Sequence, residues 1–262
     1  GAGGAILLSP TYVPGWQHET ALFLVSALAI IPIAGWMGHA TEQLAHRMGE
    51  GIGGLLNASF GNAAELIIAL IALRAGHIEV VKASITGSII GNLLLVLSAS
   101  VFAGGLRSKQ QSFNKTAARA SCTALILAAS ALVIPTVFHL AAARSGGWTP
   151  LAEQRLSLAI ACVLIATYGA MLLFSLVTHK QLFVGGEADI GSKPDADDDH
   201  AEPWSVGKAV VVLLVATVAV AWVSEFLVGA VEAARQGLGL TEVFVGVIIV
   251  AVVGNAAEHS TA

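Results

Sequence analysis

Glu65 follows Asn62 by three residues in the apolar run FGNAAELIIALIAL (60–73), and Glu258 follows Asn255 by three in VVGNAAEHSTA (252–262). That spacing sets amide and carboxyl on one face of a helix. A carboxylate at bilayer depth costs on the order of 2–3 kcal/mol even on insertion scales, so it needs a partner or a purpose. The glycine before each asparagine, Gly61 or Gly254, lets the backbone loosen and frees carbonyl oxygens. Brought together, the two pentapeptides offer two carboxylates, two amide oxygens and freed carbonyls. All are hard donors, which suit Ca²⁺, Mg²⁺ or Mn²⁺ and not a thiol-seeking metal. No Cys/His spacing of the zinc type competes. A single copy could equally glue helices by hydrogen bonds, but the chain has five Asn and two of them lie in these copies.

A second constellation is ITGSIIGNLLLVL, 85–97. Ser88 and Asn92 stand four apart on one helix face, and Gly87 and Gly91 let a neighbouring helix come close. The pattern reads as a small-residue packing seam or as the rest of a cation's oxygen shell. Glu225, inside the apolar run 208–231, and His259, next to Glu258, are candidates for handling protons. Each also reads as a pairing or packing residue. His39, His46 and His77 fall in loops or at span ends, where a solvated role is expected.

The elements that must position these groups follow from composition. Apolar residues make up 56% of 262 and charged residues 11%, with a mean hydropathy of +0.79. A soluble domain carries about a quarter charged residues. The charges are clustered and leave runs of at least about 18 apolar residues between them, the signature of membrane spans. The expected class is an all-α polytopic membrane protein. Seven full spans are predicted, near 20–38, 52–74, 83–106, 117–140, 156–177, 208–231 and 241 to the end. Trp16, Trp36, Trp148 and Trp204 fall near span ends, as interfacial aromatics do. Cys122 and Cys162 lie inside apolar runs, so small buried hydrophobes are expected and a disulfide framework is not.

The loops containing Arg47, Arg107, Lys109, Lys115, Arg119, Lys180, Lys193 and Lys208 hold eight Lys and Arg against five on the opposite side. That excess makes them cytoplasmic. The segment 178–207 then joins two halves on the cytoplasmic face. Its core, EADIGSKPDADDDHAE (187–202), has seven acids against Lys193 and too few apolar groups to build a core. It reads as a solvated linker or as a segment that attracts or senses Ca²⁺. It is not an EF-hand: counted from Asp195, His200 stands at the turn-glycine position and Val206 at the twelfth.

The two GNAAE copies fall five spans apart. Five is odd, so their helices cross the membrane in opposite directions, and the 193-residue offset lays 20–38 onto the span 208–231. An inverted-topology repeat of this kind places its substrate near the midplane, between the repeats. The organisation expected is a remnant of a first helix (1–13), a first repeat (20–177), the acidic linker (178–207) and the start of a second, inverted repeat (208–262). A complete chain should run roughly a hundred residues further, since the second half lacks spans that the first one has.

GNAAELI and GNAAEH, with KASITGSIIGNLLLVL after the first, resemble the Ca²⁺/H⁺ antiporters of the CAX type within the cation/Ca²⁺ exchanger superfamily. The resemblance runs over essentially the whole chain. It implies eleven spans when complete, a lone first helix and two inverted five-helix units. It also implies that Glu65 and Glu258 are the two essential acids, with Asn62, Asn255, Ser88 and Asn92 at supporting polar positions. The expected function is exchange of Ca²⁺, or a related cation, for H⁺ by alternating access in a prokaryotic inner membrane. The partners are then Ca²⁺, H⁺ and the bilayer, with no cofactor and no nucleic acid. A Na⁺(K⁺)/H⁺ or Na⁺/Ca²⁺ exchanger, or a cation channel, is the alternative. No HExxH or GxSxG signature suggests an enzyme.

Overall fold

The computed structural model describes residues 15–111, 113–146, 149–182 and 204–255, apart from the side chains of 15–17, 49–51 and 145. The acidic segment 187–202, Glu258 and His259 lie outside the described residues. Every regular element among those described is helical.

Residues Gly15 to Phe60 are helical on both sides of a reversal and are taken together as α1, where the sequence predicts two spans and a loop. The stretch between them, HATEQLAHRM, is rich in good helix formers and carries the helix on past the apolar run. A straight helix of 46 residues would reach about 69 Å, more than twice the hydrocarbon core. This one doubles back. A Cβ on Gly53 would lie 2.5 Å from the carbonyl oxygen of Ala45 and 3.1 Å from its Cα, whereas eight residues of straight helix span about 12 Å. The two predicted spans are therefore the legs of a hairpin. Its second leg bends by 41° at Gly61–Asn62 before α2 (Ala63–Arg74). Gly76, at φ 86°, then turns the chain toward the next helix.

The second half repeats this plan. Helix α7 (Val206–Gly229) leads into α8 (Val231–Leu238), and Gly239 at φ 66° reverses the chain. The return leg is α9 (Glu242–Phe244), a π-helical stretch (Val245–Val250) and α10 (Ala251–Gly254). It lies 116° from α8. Five described helices are long and apolar enough to cross a membrane, or seven if each bent pair counts as one span.

Helices α1 and α7 pack against each other along buried stripes at three- and four-residue spacing. Phe23, Ala27, Ile30, Ala34, Met37 and Thr41 line one side. Leu213, Ala216, Val220, Ser224 and Leu227 line the other, and Ala230 and Ala234 extend it into α8. The 193-residue offset pairs Phe23 with Ala216, Ala27 with Val220, Ala34 with Leu227, Met37 with Ala230 and Thr41 with Ala234. At each of these equivalent positions one helix carries the larger residue and the other the smaller. In lipid, where apolar burial supplies no drive between helices, close packing of such buried stripes is what holds them together. The two helices run antiparallel: Gln43 lies at Trp204, while Met37, earlier on α1, meets Thr217, later on α7.

Helix α3 (Ile78–Ile90) continues through a π-helical turn (Gly91–Val96) into α4 (Leu97–Arg107). It packs on the return leg of the second half with almost no side-chain spacer. A Cβ on Gly246 would meet the Cβ of Ala83 at 2.5 Å and the carbonyl of Val80 at 2.7 Å, and one on Gly87 would strike the backbone of Val247.

Compactness does not follow the repeat boundary. Residues up to 109 and from 203 onward form one unit, because each half packs into the other, and 110–202 form a second. That second unit contains α5 (Lys115–Ser145) and α6 (Pro150–Leu173). Asn114 caps α5 by accepting from the amides of Thr116 and Ala117, and its Nδ2 donates to the carbonyl of Leu182 at 2.8 Å. Cys122 on α5 and Cys162 on α6 are exposed and free, not buried as their apolar surroundings suggest. A residue in an apolar run can face lipid as readily as protein.

Candidate functional site

Both copies of the GN dipeptide stand where a helix ends, with the asparagine in a similar backbone conformation. Asn62 has φ −104°, ψ 18° and Asn255 has φ −79°, ψ 7°, the sparsely occupied bridge region of the backbone map. Asn62 is the N-cap of α2, although its side chain makes no capping bond, and Glu65 falls at the third helical position. A carboxylate there is favoured by the positive end of the helix dipole. Both carboxylate oxygens of Glu65 are sealed from solvent.

The two copies meet. A Cβ on Gly254 would lie 2.7 Å from Cγ of Glu65 and 3.5 Å from its Cα, so only a glycine lets the second motif helix close on the first acid. One residue on, Asn255 is 3% exposed. Its Nδ2 donates to Ser88 Oγ at 2.8 Å and to the carbonyl of Ala251 at 2.8 Å, and Asn92 Nδ2 donates to Asn255 Oδ1 at 3.2 Å. Asn92 lies in the π-helical turn of its own span, a local widening that often marks functional positions.

Of the groups named from sequence, Glu65, Ser88, Asn92 and Asn255 are thus gathered around one point where α2, α3 and α10 converge. Asn62 is exposed at the break before α2. Glu225 is exposed too, on the face of α7 that carries Val218 and Trp222 and away from the buried stripe. Among the described residues no three His, Cys, Asp or Glu side chains cluster as a metal centre.

Two polar groupings escaped the sequence reading. At one end of the α1–α7 pair, Trp204 stacks on Trp36 and receives the edge of His39. At the other end, Arg235 reaches Glu232 through Nε at 2.9 Å and Nη2 at 2.6 Å, and Gln236 donates to the same carboxylate at 2.6 Å. Those hydrogen bonds, first from Arg235 and then from Gln236, hold the Glu232 carboxyl down at about 2. Glu232, Arg235 and Gln236 are the 193-offset equivalents of His39, Glu42 and Gln43. Their shared place was legible; their pairing was not, because side chains of different chemistry occupy it.

The sequence matches the profile described as sodium/calcium exchanger protein over residues 18–177 and 208–262. The chain belongs to the sodium/calcium exchanger protein family. It is 47% identical over 261 residues to a Ca²⁺/H⁺ antiporter of Synechocystis, covering 95% of this chain and 68% of that one. It is 45% identical over 245 residues to the Ca²⁺/H⁺ antiporter ChaA of Bacillus subtilis, covering 93% and 67%. Its fold is similar to the solved structure of native YfkE, with a TM-score of 0.71 and 40% identity over 92% of this chain. The chain spans 64% of YfkE and about two-thirds of those two relatives. Its fold class is thereby that of an all-helical integral membrane protein with apolar spans, as the motifs implied.

Proposed function

We propose that this chain carries the ion path of a secondary transporter that exchanges Ca²⁺ for H⁺. The supporting observation is the junction at Gly254 and Asn255, which sets the second motif copy against Glu65 and ties it to Ser88 and Asn92. Glu258 follows Asn255 at the spacing by which Glu65 follows Asn62, and it supplies the second carboxylate in this reading. Two carboxylates facing one another repel and hold protons when the site is empty. A divalent cation displaces those protons, so the same acids serve both ligands in turn. Amide oxygens of Asn255 and Asn92 and the hydroxyl of Ser88 supply further hard donors. Asn62 completes the set if α2 and its break reorient, and Glu225 and His259 are secondary candidates for the proton route.

Alternation comes from α1 and α7 shifting against the steadier α2, α3 and α10 core. The relatives named are antiporters, which supports transport over catalysis, and bacterial and cyanobacterial sources support a prokaryotic cell membrane. The test is ⁴⁵Ca²⁺ uptake into proteoliposomes driven by an imposed pH gradient. Uptake that follows the gradient and collapses with a protonophore supports the reading. Uptake driven by a Na⁺ gradient instead would make this a Na⁺/Ca²⁺ exchanger.

A further inference from the structure

The α1–α7 seam is tied across the repeats at one end by a single side chain. Trp204 stands just before Ser205, the N-cap of α7. Its ring stacks on Trp36 of α1 with centroids 5.9 Å apart and planes 22° apart, and the edge of His39, also on α1, meets it at 4.9 Å and 82°. Its backbone amide donates to Gln43 Oε1 at 3.1 Å. Lys208, one turn into α7, sets its ammonium 4.3 Å from the centre of the same ring. Three residues of the first repeat and one of the second therefore converge on Trp204.

An interfacial anchor would give a plainer account, since tryptophans gather at the headgroup level. Trp36, 57% exposed, fits that description by itself. Trp204 does not: it packs against the buried core and is held through its backbone as well as its ring. The opposite end of the seam sharpens the contrast. There the equivalents of His39 and Gln43 are Glu232 and Gln236, and the Glu232 carboxylate accepts from Gln236 and from Arg235 within α8. Positions that reach across the repeats at one end close upon their own helix at the other.

We infer that Trp204 is a clasp that holds its end of the α1–α7 seam shut, and that it must release for the ion site to open toward that side. The inference rests on the exchange reading above, and it makes Trp204 a positioning residue that need not touch the ion. It also places the last residues of the acidic segment 187–202 directly before the clasp.

The test separates the clasp from the exchange itself. Cys122 and Cys162 are replaced by Ser, and Ala216→Cys, in the buried stripe about 18 Å along α7 from Trp204, serves as the reporter. A membrane-impermeant maleimide is applied from the side on which residue 204 lies. Trp204→Ala should raise the labelling rate at least fivefold over the parent, and Trp204→Phe, which keeps an aromatic ring, should stay within twofold of it. In ⁴⁵Ca²⁺ uptake, Trp204→Ala should shift KM for Ca²⁺ on that side more than kcat. Equal labelling of the Trp204→Ala and parent proteins, both monodisperse in detergent, would overturn the clasp. Labelling that rises as expected in a protein showing no proton-coupled uptake would uphold the clasp and overturn the exchange reading instead.

Discussion

Gly254 rests against Glu65, with room for a hydrogen where any other residue has a carbon: a Cβ would sit 2.7 Å from Cγ of the acid. Contacts that short do not persist, and Cγ is not the free end of the side chain, so α10 or Glu65 must move. Gly254→Ala should cut Ca²⁺ uptake at least tenfold while leaving the amount of protein in the membrane near normal. Gly91→Ala is the control, because a Cβ there meets nothing within 4 Å. Comparable uptake by both variants would show that the close approach is incidental.

The hydrogen bonds of Asn255 predict unequal losses. Ser88→Ala removes one of two acceptors from Asn255 Nδ2, which keeps the carbonyl of Ala251. Hydrogen bonds of this kind between membrane helices average about 0.6 kcal/mol, so the thermal midpoint in detergent should fall only slightly. Asn255→Ala removes one hydrogen-bond partner from Ser88 and one from Asn92 together, at a cost of about 1–3 kcal/mol where the groups stay buried. Unfolding curves of the two single variants and the double variant check this, and a larger loss for Ser88→Ala would contradict the geometry.

Gly246 predicts a packing failure remote from the ion. Its Cβ position overlaps Ala83 and the carbonyl of Val80, so Gly246→Leu should separate α3 from the second return leg. The expected readout is loss of monodispersity on size-exclusion chromatography. A well-behaved Gly246→Leu protein would mean that the two helices do not touch there.

Glu232 sets a pH limit. Its carboxyl, held at about 2 against an ordinary value of 4.5 by Arg235 and Gln236, contributes stability that is complete above pH 4.5 and lost as the pH falls toward 2. Acidifying the compartment it faces to pH 5.5 should leave the Glu232–Arg235 pair intact, so Glu232→Gln should not move the pH dependence of uptake above pH 5. A shift in that profile would place a transported proton on Glu232.

Much of this arrangement was legible in the sequence because it is written twice. The duplicated GNAAE and the 193-residue offset foretold that the motif helices would meet and that 20–38 would partner 208–231. Ser88 and Asn92 were legible as one helix face, though not as partners of Asn255, since an i,i+4 pattern names a face and not what it touches. The helical state of 39–48 was hidden because polar helix formers there look like a loop between apolar runs. The exposure of Cys122, Cys162 and Glu225 was hidden for a related reason: in a bilayer, apolar surroundings in sequence do not distinguish a lipid-facing side from a buried one. The Trp204 cluster was foreseen only as interfacial aromatics, because its meaning lies in residues 161 apart along the chain.

The central claim is that one pair of acids serves both Ca²⁺ and H⁺, and Glu65 is the member whose place in the fold is described. The most direct measurement is proton-gradient-driven ⁴⁵Ca²⁺ uptake by proteoliposomes containing Glu65→Gln, beside the parent and Glu258→Gln. The amide keeps the shape but can neither release a proton nor balance the cation. Each substitution is predicted to reduce uptake to the level of empty liposomes while the protein remains folded and inserted. Uptake by Glu65→Gln within twofold of the parent, still collapsed by a protonophore, would contradict the account.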